Sequence, residues 1–95
     1  MPLNETQAQI SSICDDIKEL LLYKNIKYGN SALNPVRIFS KSDEVEQILV
    51  RIDDKLNRIK QGAGLIDEDE DVLIDLIGYL VLLKIALKNK PKDGV

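Results

Sequence analysis

The segment Val72 to Leu87 constrains this chain more than any other. Thirteen of its sixteen residues are apolar, and the exceptions are Asp75, Gly78 and Lys84. The run is shorter than the ~20 residues a helix needs to cross a bilayer, and a carboxylate interrupts it. It reads as a buried central helix, and no membrane association is expected. A helix apolar on nearly all sides must be covered on several of them. A chain of 95 residues has too little other structure to do that alone, so a second subunit is the expected source of the rest.

Two further helices are legible. The first is expected from about Thr6 to Tyr28, with Thr6 as N-cap. Ile10, Ile13, Cys14, Ile17, Leu20 and Leu21 recur on one face of it. Gly29-Asn30 offers a left-handed exit, and Asn34-Pro35 holds the following linker out of helix. The second helix is expected to start at Ser40 or Ser42 and to end at Gly62 and Gly64. Its stripe is Val45, Ile48, Leu49, Ile52, Leu56 and Ile59. Asp67 with Glu70 has the spacing of a capping box for the third. The fold class is therefore all-α: three main helices in a small bundle completed by oligomerisation. The domain is single, 1–95, with an ordered core of about 6–88. Leu22, Ile26 and Val50 point away from the stripes and suggest a contact between copies.

Composition removes several functions. There is no His, so His-based triads and His zinc sites are excluded. Cys14 is the lone cysteine, so neither an intrachain disulfide nor a thiolate metal cage can form. The net charge of −3 argues against duplex DNA as a partner, since DNA binding needs a basic field. No basic-then-apolar leader is visible in Met1 to Ile10. The expectation is a cytoplasmic protein.

The charges are unevenly placed. Leu20 to Ser42 contains four bases (Lys24, Lys27, Arg37, Lys41) and no acid, whereas Asp67 to Asp71 is five consecutive acids. Arg51, Lys55 and Arg58 share one side of the second helix and flank its stripe. With Lys27, Asn30, Asn34 and Arg37 they are candidate phosphate ligands, because charged N–H donors bind phosphate oxygens strongly. A solvated, acid-paired face is the competing explanation. Asp71, Asp75 and Tyr79 form one ridge on the third helix. A carboxylate there needs a partner. That partner is either Mg2+, held with Asp71 and with Asp53 or Asp54, or a basic side chain among Arg51, Lys55 and Arg58. Tyr28 and Tyr79 are candidates for contacting a base or sugar. Asp15, Asp16 and Glu19 lie opposite the apolar stripe and read as a solvated face.

Three separated blocks carry a family resemblance. Tyr23-Lys24 through Lys27-Tyr28-Gly29-Asn30, then Arg51 to Ile59, then Asp71 to Tyr79 resemble the nucleotide modification associated domain of phage and bacterial proteins. The resemblance spans roughly residues 14 to 87. That family is distantly similar to the all-α nucleoside triphosphate pyrophosphatases of the MazG type, which are oligomeric, Mg2+-dependent and cut between the α and β phosphates. The resemblance implies a nucleotide ligand and, for a hydrolase, Mg2+ on acidic pairs. Asp15-Asp16-x-x-Glu19 meets the first acidic motif only loosely. Val72 stands where the second motif has an acid, three residues before Asp75.

Three functions follow as expectations. The first is a small phage-type protein that binds a phosphorylated nucleotide through a basic pocket, sequestering a signal (cyclic or otherwise) of antiviral defence. The second is a Mg2+-dependent nucleoside triphosphate pyrophosphohydrolase. The third is a non-catalytic interaction module. The expected partners are a nucleotide and further copies of the chain.

Overall fold

The computed structural model describes residues 2–35, 37–40, 42–62 and 71–90. These form three helices: α1 (Glu5–Tyr28), α2 (Glu44–Lys60) and α3 (Val72–Asn89). The fold is all-α. Among the described residues no helix is long and apolar enough to cross a membrane.

Each helix begins at an acid or amide, where hydroxyls are expected for the first two. Asn4 caps α1: its Oδ1 accepts the Gln7 backbone N–H at 2.8 Å, and the Gln7 side chain accepts the Asn4 N–H at 3.0 Å. This reciprocal box satisfies two orphan donors and displaces Thr6 from the cap. Asp43 caps α2 through the Glu46 N–H at 2.9 Å. Ser40 and Ser42 are hydrogen-bonded to each other ahead of the helix. Asp71 caps α3 through the Ile74 N–H at 3.0 Å. The Asp67–Glu70 box and Gly64 lie outside the described residues. At its end α1 stops on Gly29, whose φ of 72° only glycine adopts without strain.

The core lies between α2 and α3. Val45, Ile48 and Ala86 are buried together, with Leu33, Ile52, Tyr79, Leu82 and Leu83 packed around them. Val72 is also fully buried. The inward face of α2 runs Val45, Ile48, Ile52, Lys55, Ile59. It is rotated from the expected stripe: Leu56 is half exposed, and Lys55 takes an inward place.

The first helix is attached differently. It buries no residue, and it meets α3 over a short stretch centred on Gly78. A Cβ at Gly78 would stand 3.0 Å from Leu21 Cδ2, so the missing side chain is what lets the helices approach. The N-terminal half of α1 projects beyond this contact, leaving Ile10 and Ile13 more than half exposed. The expected apolar stripe is thus present but largely uncovered. The Cα radius of gyration is 15.9 Å, against roughly 12–13 Å for a compact domain of this length.

Candidate functional site

A groove of about 670 Å³ runs between α1 and α3 and is closed at one end by the turn 29–33. Such a volume lies within the range of small-molecule sites. Two contacts set its register. Leu21 meets Gly78, and Lys24 meets Asp75, so the helices are antiparallel. The groove therefore has two unlike ends. Toward the turn lie Lys24, Asn25, Tyr28, Asn30 and Asp75; toward the open end lie Cys14, Ile17, Leu82 and Ile85.

The polar end is built by a turn that spends its own hydrogen bonds locally. Asn25 Nδ2 donates to Asn30 Oδ1 at 2.7 Å and to the Gly29 carbonyl at 3.3 Å. The Asn30 carbonyl accepts the backbone N–H groups of Leu33 and Asn34 at 3.0 and 2.8 Å. Asn34 is exposed beyond this turn. Lys27 sits outside the groove lining, with its ammonium over the Tyr28 ring at 5.3 Å, within cation–π range.

Asp75 is the electrostatic centre. Its Oδ2 meets Lys55 Nζ at 3.1 Å and its Oδ1 meets Lys24 Nζ at 3.6 Å. The half-buried carboxylate thus has basic partners, Lys55 as expected and Lys24 in addition. A divalent cation at Asp75 would have to displace both ammonium groups. Asp71 Oδ1 is already engaged in the helix cap. Asp53 and Asp54 are exposed on α2, and Asp54 borders a separate shallow depression with Ser40, Gln47, Val50 and Arg51. Among the described residues no three Cys, Asp or Glu side chains converge as a metal site. Mg2+ requires near-octahedral oxygen ligation, and the carboxylates of the described residues do not converge to supply it.

Of the expected phosphate and base ligands, the groove gathers Asn30, Arg51, Tyr28 and Tyr79. Lys55 stands behind them on Asp75. Arg37 is elsewhere: its Nε donates to the Ser42 carbonyl at 3.0 Å, and its Nη2 meets Glu44 Oε2 at 3.2 Å. Arg58 is exposed on α2 outside the lining. Lys18, Lys24 and Asn25 line the groove and were not among the expected ligands. Lys24, Asn25 and Tyr28 lie three, four and seven residues after Leu21, so they continue the α1 stripe. That spacing is the signal that marks them as inward.

Among the described residues the lining holds three bases, Lys18, Lys24 and Arg51, against one acid, Asp75. The groove is thus two charges positive in a chain that is three charges negative. No protein-family model, curated protein or solved structure matches the chain.

Proposed function

We propose that the chain is a subunit of a homo-oligomer that binds a phosphorylated nucleotide at the polar end of the α1–α3 groove. The observation that carries this reading is the excess of two positive charges on a concave lining that also presents two tyrosines. Lys24 and Arg51 would take the phosphate oxygens, as charge-assisted donors do. Tyr28 and Tyr79 would contact the base or sugar, since aromatic faces stack on any base. Asn25 and Asn30 hold the turn that closes this end. The resemblance to the nucleotide modification associated domain points to the same ligand class, and a phage-type protein of this kind would act by sequestering a nucleotide signal of defence.

Binding is favoured over hydrolysis. A Mg2+-dependent pyrophosphohydrolase would need Asp75 to exchange two lysines for the metal and would need further carboxylates beside it. Homo-oligomerisation is supported by the uncovered stripe of α1 and by the half-exposed Leu73, Leu80 and Leu87 of α3. The test is equilibrium dialysis of the purified protein against mixed nucleotides, with bound and converted species identified by mass spectrometry. Retention of an unaltered nucleotide is expected. Release of pyrophosphate would replace binding with turnover, and retention of nothing would remove the reading.

A further inference from the structure

The chain has one phenylalanine, and it is placed in water. Phe39 is 96% exposed and Ile38 beside it 71%. The exposure is held in place by the loop around it. Arg37 ties the loop to the Ser42 carbonyl at 3.0 Å and to Glu44 at 3.2 Å, and Ser40 Oγ bonds Ser42 at its N–H and hydroxyl. Ile38 and Phe39 stand between these tethers, an apolar knob with no socket among the described residues.

The same chain carries an apolar cleft. The open end of the α1–α3 groove is lined by Ile17, Leu21, Val81, Leu82 and Ile85. The depression beside Ser40 and Gln47 is bordered mostly by polar residues and does not suit such a knob.

The total surface area points to a second copy as the occupant. The chain exposes 7726 Å², whereas a folded monomer of 10.7 kDa exposes roughly 5,500 Å². The excess is about 2,200 Å² per chain. Two chains that cover it would bury about 4,400 Å², within the range of obligate homodimers. We infer that the Ile38–Phe39 apex of one copy inserts into the apolar end of the α1–α3 groove of a second copy. The inference rests on the assembly half of the reading above. Knob and socket are different surfaces, so reciprocal insertion closes a two-fold dimer, and one-way insertion builds a ring or filament.

Sedimentation velocity across a concentration series tests this, with circular dichroism confirming the helices of each variant. Phe39→Ser alters an exposed loop residue and should leave the fold intact. Ile85→Glu, on a partly exposed groove position, blocks the socket. Each should raise the dissociation constant by about thirtyfold or more, the size of an interface hot spot. Mixing the two should restore association, because Phe39→Ser keeps its socket and Ile85→Glu keeps its knob. A Phe39→Ser protein that associates like wild type overturns the insertion while leaving self-assembly in place. A wild type that stays monomeric at every concentration removes both. If Ile85→Glu fails to fold, the Phe39→Ser comparison alone decides.

Discussion

Lys55 of α2 and Asp75 of α3 meet at 3.1 Å, with side chains only 15% and 20% exposed. The pair joins the two helices at the edge of the core and places a fixed charge behind the groove. Removing the carboxylate would leave a largely buried ammonium facing the Lys24 ammonium. Exposed pairs contribute about 0–1 kcal/mol and fully buried ones cost 3–5 when broken. For this intermediate site, Asp75→Asn should cost about 2 kcal/mol, lowering the melting temperature by roughly 8–16 °C. Lys24→Met, on the longer and more exposed arm, should cost under about 1 kcal/mol. Thermal melts at one fixed protein concentration make the comparison. Equal losses from the two variants would contradict the asymmetry of the geometry.

The groove separates the bases into two groups. Lys24→Ala and Arg51→Ala should each weaken nucleotide binding ten- to a hundredfold, or about 1.5–3 kcal/mol. Arg37→Ala should leave the affinity unchanged, because its guanidinium is engaged with Ser42 and Glu44. Titration calorimetry with a retained nucleotide reads all three. Loss of binding on Arg37→Ala would place the ligand on the loop instead of between α1 and α3.

Gly78 sets the distance between α1 and α3. An added Cβ would press on the end of the Leu21 side chain, which can swing aside. The gain in helix propensity from Gly to Ala, about 1 kcal/mol, offsets that movement. Gly78→Ala should therefore be close to neutral. Gly78→Leu cannot be absorbed and should destabilise by about 1–3 kcal/mol, with a loss of nucleotide affinity as the groove widens. Chemical denaturation beside the binding assay checks both effects. A neutral Gly78→Leu would mean that α1 is not seated on α3 as described.

Acid sensitivity has one identifiable source at the start of α2. The Asp43 carboxyl is held below its ordinary value, chiefly by the Glu46 backbone N–H and secondarily by Lys90, whose Nζ lies 3.6 Å away. Burial opposes the shift. A depressed folded-state pKa means that the contribution is fully present above the ordinary carboxylate range. It is lost as pH falls through the lower folded value. Asp43→Asn keeps a capping oxygen but cannot titrate, so its stability should fall less steeply over that acid window than wild type. Urea midpoints from neutral to acid pH would show this; parallel curves would refute it.

The apolar patterns of α2 and α3 were sufficient to anticipate the fold class, because three-and-four spacing directly reports a helix face. The caps of α1 and α2 lie one to three residues from the expected ones. Asn4 and Asp43 stand beside Thr6 and Ser42, and propensity hardly separates a carboxylate or amide from a hydroxyl at that position. In the sequence Lys55 flanks the stripe, where charge normally stays at the edge; its tie to Asp75 brings it inward. In the groove, Tyr28, Asn30, Arg51 and Tyr79 were legible from the sequence, whereas Lys24 and Asn25 were not singled out. Their signal is that they extend the apolar stripe of α1 beyond Leu21. Arg37 shows the opposite limit. A base in an acid-free stretch looks available until the Ser42 carbonyl and the Glu44 carboxylate are seen to engage it.

Leu21 and Gly78 come from distant parts of the chain, while α2 and α3 are neighbours in sequence and share the buried core. Nearby segments pair sooner than distant ones because less chain must be closed into a loop. The α2–α3 hairpin is therefore the piece that can form first, and α1 has no seat until α3 is in place. During synthesis the order runs the other way, since α1 leaves the ribosome first. Its row of isoleucines must wait in water for the length of the remaining chain, so the helix made earliest is the last to find its place.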